Sequence, residues 1–389
     1  MINPDNAYVR LVGHYTERAK EVSESQSFQF FDPEWPHVGE MLRYTADFAS
    51  KKKAFLLSNL VRPLSVYWDA RSMTLEWITW CERALKACTF TGDRRAEGIH
   101  LGHLGNAYYF LGSIDRAIEY YEQALTISRE ISDKQNEGNN LGNLGSACRA
   151  LGEVSQSIKF YEQAIAISRQ IGDKAGEGAR LGNLGLAYRD LGQVQQAIEY
   201  YEQALSISRE IGNRRSESSD LSNLGNAYCD LGQVQQAFEY YQQALIIDRE
   251  IGHRRAEGID LGNLGNAYYS LGHLDQAIEY YEQALVISRE VGDKHSEENW
   301  LGNLGSVYSV LDQIEQAKDH YKRAVAISRE IGDKRGEAFH SWNLGLLYEE
   351  SDPARAVSLL SVCVAYEREI GHPNGEADAE YVAQIQARL

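Results

Sequence analysis

Proline is scarce in this chain. Its 389 residues hold six, Pro4, Pro33, Pro36, Pro63, Pro353 and Pro373, and none lies between residues 64 and 352. Proline lacks the backbone donor and breaks helices, so that long stretch is free to be helices joined by glycine turns. Cysteine is rare too. Cys81, Cys88, Cys148, Cys229 and Cys363 are odd in number and form no CxxC. This excludes a disulfide framework and points to free thiols in a reducing, cytoplasmic compartment. No apolar run reaches about 18 residues, and residues 1–25 lack a signal peptide's apolar core, so no membrane contact is expected. Basic residues are outnumbered, 39 against 56 acids, for a net charge of −17. Phosphate backbones need lysine and arginine gathered on one face, so nucleic acid is not an expected partner.

Catalytic signatures are missing as well. There is no G-x-x-x-x-G-K-[ST], no H-E-x-x-H, no G-x-S-x-G and no H-x-E with C-x-x-C. The ten histidines, among them His100, His103, His295 and His340, show no spacing that sets them beside a cysteine. The expectation is a chain with no metal, no cofactor and no catalytic residues, hence not an enzyme. Asp220 and Asp260 recur at one repeat position and read as surface carboxylates.

What is present is repetition. From Leu101 a 40-residue string recurs at Leu141, Leu181, Leu221, Leu261 and Leu301, with a worn copy from Ser341. A period of this size means supersecondary units that bury a core only against their neighbours. Within residues 174–213, Leu181, Leu184, Ala187 and Tyr188 follow helical spacing, and Leu191-Gly192 ends that helix. Val194, Ala197, Ile198, Tyr201, Ala204, Leu205 and Ile207 are the apolar positions of a second helix. Asn213 is placed to cap the next one, as are Asp133, Asp173, Asp293 and Asp333 elsewhere. Glu119, Glu122, Glu199, Glu202, Glu279 and Glu282 recur on the second helix as a solvated outer face.

Leu181, Leu184-Gly185, Tyr188, Ala197, Tyr201 and Ala204 together resemble the signature of the tetratricopeptide repeat in a 40-residue form. Cys148 and Ser157 are departures in the second copy. The resemblance implies an all-α, right-handed superhelical α-solenoid of antiparallel helix pairs. Six full repeats are expected over 94–333, a degenerate seventh over 334–371, and a capping helix over 372–389. Residues 53–93 read as a decayed repeat with Trp68, Trp77, Cys81 and Ala84 at signature positions, its first helix kinked or restarted at Pro63. Residues 1–52 read as two helices, roughly 6–22 and 36–50, joined through FFDPEWPHV. Tyr15, Glu34-Trp35-Pro36, Met41-Leu42, Tyr67-Trp68 and Trp80 resemble the linker before the tetratricopeptide sensors of bacterial STAND-class signalling NTPases.

The candidate site is an asparagine ladder. Asn143, Asn183, Asn223, Asn263, Asn303 and Asn343 share one repeat position, with His103 at its start; three residues on stand Asn106, Ser146, Leu186, Asn226, Asn266, Ser306 and Leu346. Both rows point away from the Leu184–Tyr188 stripe. In the resembled fold that face lines the concave surface. Asparagine offers a donor and an acceptor, so a ladder of them suits the main chain of an extended peptide. The family uses asparagines this way in kinesin light chains and the adaptor Pins; bonding to the adjacent repeat is the alternative role. Arg149, Arg180 and Arg189 would make one stretch basic. Asp190, Asp220, Asp230 and Asp260 would make the next acidic, and Ile99, Phe110, Val310 and Phe339 the ends apolar. The expected function is a non-catalytic scaffold holding a partner's peptide segment in its concave groove, with the sensor module of a STAND-type protein as the alternative. Exposed Phe and Trp near the first repeat would allow an N-terminal homodimer. The first tyrosine of each pair, Tyr120, Tyr200 and Tyr280, is expected to pack between repeats.

Overall fold

The computed structural model describes residues 4–25, 32–47, 50–71 and 73–389. They form nineteen α-helices and one 3-10 helix, with no strand among the described residues. The chain falls into two compact units, Met1–Ile207 and Ser208–Leu389. In the first, α1 (Pro4–Ser25) and α2 (Trp35–Ala46) precede the pair α3 (Lys51–Ala70) and α4 (Thr74–Thr91). The pairs α5 (Arg94–Phe110) with α6 (Ile114–Glu130), α7 (Lys134–Ala150) with α8 (Val154–Ile171), and α9 (Lys174–Asp190) with α10 (Val194–Glu210) follow. The second unit holds α11 (Arg214–Asp230), α12 (Val234–Ile251), α13 (Arg254–Ser270), α14 (Leu274–Val291), α15 (Lys294–Val310), α16 (Ile314–Ile331), α17 (Lys334–Leu346), α18 (Pro353–Ile370) and α19 (Gly375–Gln386).

The turns are short because each is built from two caps. Gly112 takes φ +77°, and Ser113 N–H closes back on the Tyr108 carbonyl at 2.9 Å, which ends α5. At the other junction Asp133, Asp173, Asn213, Asp293 and Asp333 each accept the backbone N–H three residues on, as expected. The helices of one pair approach closely at a glycine. A Cβ on Gly185 would sit 2.6 Å from the Tyr201 ring, and one on Gly265 would sit 2.7 Å from Tyr281. Glycine costs up to about 1 kcal/mol inside a helix; here the ring fills the notch it leaves.

Two features of the repeat escape a helical wheel. In the full repeats the arginine near the end of a second helix reaches a glutamate in the first turn of the next, as in Arg169–Glu177 at 2.7 Å and Arg249–Glu257 at 2.9 Å. The first tyrosine of each pair also stacks on a tyrosine of its own repeat. Tyr188 and Tyr200 lie 5.1 Å apart and nearly coplanar, and Tyr228–Tyr240 and Tyr268–Tyr280 match them.

The ends depart from expectation in three places. Helix α3 runs through Pro63 without interruption. Leu57, Leu60, Val61, Leu64 and Trp68 are all fully buried along it, and that burial outweighs one lost backbone bond. The tryptophans are not exposed: Trp68 and Trp77 are buried, and Trp35 stacks on Tyr67 at 4.5 Å with its edge toward Trp68. Phe55, Phe90 and Phe110 are exposed there, together with Leu75 and Leu111. Part of the FFDPEWPHV turn, Phe30 and Phe31, lies outside the described residues, as do residues 48–49 at the expected end of α2. At the other end α19 covers α18 through Val382 and Ile385 against Leu360 and Val364, the capping role its composition suggests.

Candidate ligand-binding face

The first helices of the repeats carry the asparagines, and in the first unit they border two clefts. One, of about 410 Å³, is lined by His103, Asn106, Asn143, Ser146, Arg180 and Asn183 among others. Another, of about 430 Å³, adds Trp77, Tyr109 and Phe110 to His103, Asn106 and Asn143. The structure therefore gathers Asn106, Asn143 and Asn183 on α5, α7 and α9. In the second unit Asn223, Asn226, Asn263 and Asn303 are half-buried at equivalent positions, and Asn266 is exposed.

The asparagines divide into two kinds. Asn143 donates its amide to Asn106 Oδ1 at 3.1 Å, and the Tyr121 hydroxyl donates to the same oxygen at 2.8 Å. Asn303, Asn266 and Tyr281 repeat that arrangement at 3.0 and 2.7 Å. Asn226 accepts from Tyr241 at 2.8 Å. Asn343 donates to its own helix, at the Phe339 carbonyl. The second row is thus tied to the core tyrosines. Asn183, Asn223 and Asn263 make no hydrogen bond among the described residues. Each presents an unused donor pair and an unused acceptor.

The charge zoning needs correction. Arg149 pairs with Asp190 at 3.0 Å, so these two neutralise one another across adjacent repeats. Arg180 is buried, donating to Ser168 Oγ at 2.7 Å, Asn139 Oδ1 at 2.8 Å and the Gly138 carbonyl. Burial pulls its pKa down against the opposing pull of Asp173. Asp220 and Asp260 are buried, not surface carboxylates, and accept from Ser208 at 2.7 Å and Ser222 at 2.6 Å. Desolvation pushes Asp220 up to about 7 and carries Asp260 well above the usual range, with the neighbouring Asp248 adding to the rise. The physical reason is one of register. These residues and Asn140 occupy one repeat position, which the second helix of the preceding repeat covers, and Ser128, Ser168, Ser208 and Asp248 face them from there. Arg189 is half-buried and Asp230 exposed. Phe110, Val310 and Phe339 are exposed, and Ile99 is half-buried.

Spacing also concealed a cysteine–histidine cluster. Cys81 on α4 comes together with His100 and His103 on α5, because α4 packs along α5. Burial, with the Arg62 guanidinium adding to it, lowers His103 to about 4; burial, His103 and Arg62 lower His100 to about 3. Desolvation raises the Cys81 thiol.

A tetratricopeptide-repeat family profile matches residues 76–130, 137–210, 218–290 and 296–366, and a second of the same description matches 182–250. None of the curated proteins matches the chain. Among solved structures, a STAND protein with a tetratricopeptide repeat sensor, PH0952 from Pyrococcus horikoshii, superposes with a TM-score of 0.62 at 16% identity, over 90% of this chain and 54% of that one. Aspartyl phosphate phosphatase F from Bacillus subtilis superposes at 0.58 with 14% identity, over 96% of this chain and 94% of that one. A Rap protein complexed with Competence and Sporulation Factor gives 0.56 at 14% identity, over 87% and 98%. At these identities the likeness is one of fold.

Proposed function

Because the chain belongs to the tetratricopeptide repeat family, we propose that it is a non-catalytic interaction scaffold that binds an extended peptide segment of a partner protein along the asparagine-bearing faces of its first helices. The observation that carries this reading is the state of three asparagines, Asn183 in the first unit and Asn223 and Asn263 in the second. These are half-buried amides at one repeat position, with hydrogen-bonding capacity that the fold does not use. A peptide main chain supplies the matching donors and acceptors whatever its side chains. The free cysteines accord with a reducing cytoplasm. The Rap protein complexed with a factor supports the reading by fold analogy.

The test is capture from a source-cell lysate, read by mass spectrometry. The triple variant Asn183→Ala, Asn223→Ala, Asn263→Ala is expected to fold normally, since it breaks no internal bond, and to lose at least about tenfold in affinity for the protein that the wild type captures. Each lost hydrogen bond is worth about 1 kcal/mol. Equal capture by both proteins would contradict the reading.

A second reading is the sensor module of a STAND-type signalling protein. It is favoured by the superposition on PH0952, which extends over 90% of this chain, and by the seating of Trp35 on Tyr67 and Trp68. An in-frame Walker motif encoded upstream of Met1 would support it, and an upstream stop codon would count against it.

A further inference from the structure

The junction between the decayed repeat and the first full repeat holds a group of side chains that peptide binding does not use. His100 and His103 stand three residues apart on α5 and share a face. Cys81 approaches from α4. The Cys81 Sγ and one nitrogen from each ring all lie within 4.8 Å of one another. Thiolate and imidazole donors sit about 2.0–2.3 Å from a tetrahedral zinc ion, hence under about 4 Å from each other. Small side-chain rotations close that difference.

The hydrogen bonding singles out this group. Ser58 Oγ lies 2.9 Å from His100 Nε2 and holds that edge of the ring. His100 Nδ1 is buried with no hydrogen-bond partner, and His103 Nδ1 is in the same condition. His100 is 0% exposed, as is Cys81. A buried polar nitrogen without a partner costs about 1–3 kcal/mol, and two such nitrogens stand here beside a buried thiol. A coordinated cation would satisfy both. Ser58 would then play the part of the outer hydrogen-bond acceptor that fixes a ligating histidine's tautomer. Sulfur and imidazole without carboxylate or carbonyl oxygen select zinc over magnesium or calcium.

We propose that Cys81, His100 and His103 form a Zn²⁺ site that fastens α4 to α5, with the fourth coordination position opening on the cleft lined by Trp77, Asn106 and Phe110. His103 half-faces that cleft, so water or a donor from solvent completes the tetrahedron. On binding, the Cys81 thiol releases its proton to solvent and the thiolate carries the bond to the metal.

The test uses the full chain, reduced and stripped of metal, titrated with Co²⁺ and then Zn²⁺. The expected result is one equivalent of Co²⁺ giving a thiolate-to-cobalt charge-transfer band, displaced by one equivalent of Zn²⁺. Zn²⁺ should also raise the Tm. Cys81→Ser should abolish the band. His103→Asn, which changes a half-buried side chain, should weaken binding at least tenfold while leaving the metal-free circular dichroism as in the wild type. Absence of a charge-transfer band in the wild type would overturn the proposal without recourse to any variant. So would stoichiometric binding that survives both substitutions, or that is lost instead in His295→Ala, whose neighbours Glu298 and Asp333 form the other candidate cluster.

Discussion

Tyr281→Ala is expected to destabilise the second unit by about 3–5 kcal/mol, the range for emptying a buried aromatic site. Tyr281 is 2% exposed, and its ring fills the notch at Gly265. On its other side it stacks near Trp300 of the next repeat, 6.2 Å between centroids. Its hydroxyl donates to Asn266, which also accepts from Asn303. One side chain thus joins two helices of a pair, the following repeat and one rung of the ladder. In a stacked array stability is a sum of repeat and interface terms, so the loss should stay local. Urea unfolding should show an early phase absent from the wild type, and amides of α13 to α15 should exchange faster. Tyr281→Phe keeps the ring and should cost only about 1 kcal/mol. An alanine variant within 1 kcal/mol of the wild type would mean that the ring is not the keystone of this packing.

Asp248→Ser should move stability the other way, by about 1–3 kcal/mol. Five repeats carry serine at this position, Ser128, Ser168, Ser208, Ser288 and Ser328. Asp248 is fully buried, with only the His253 ring, 3.5 Å from one oxygen, set against its carboxylate, and Asp260 lies beside it. The preceding repeat shows the remedy, for there Ser208 donates to Asp220 at 2.7 Å. The pH dependence has a definite sign. Asp220, raised to about 7 from 3.8, and Asp260, raised likewise, hold protons in the folded chain that the unfolded chain releases. Their contribution is fully present below about pH 4 and is lost as pH rises through the folded values, at roughly 1.4 kcal/mol per pH unit for each retained proton. Paired carboxylates such as Glu217 and Glu297 are lowered by their arginine and lysine partners despite burial, and they oppose this trend only in acid. The wild-type Tm should therefore fall between about pH 5 and 7, and Asp248→Ser should flatten the fall. A flat wild-type profile, or a serine variant that melts earlier, would contradict the assignment.

The sequence carried most of the fold. The 40-residue period, the glycine–tyrosine contacts and the aspartate caps all follow from local spacing, and the structure reproduces them. What spacing within one helix could not show is what the next repeat covers. Arg180, Asp220 and Asp260 occupy a polar position on their own helix, and only stacking buries them. Asn143 and Asn183 read alike in sequence, yet Asn143 finds Asn106 one repeat away, while the counterpart of Asn106 in the repeat before Asn183 is Ser146, whose hydroxyl already meets Tyr161 at 2.9 Å. Cys81 and His103 lie on different helices, at a separation that matches no metal-binding spacing. In each case the missing information was an inter-helix distance, not a propensity.

The proposed site puts a partner's peptide on the asparagine faces of the first helices. A photo-activatable residue placed at Asn183 or Asn263, compared with one placed at the exposed Glu199 or Glu279 on the second helices, tests it most directly. Cross-links to the captured partner are expected from the asparagine positions and none from the glutamate positions. Cross-links from the glutamates alone would put the ligand on the outer face and leave the asparagines without a role in binding.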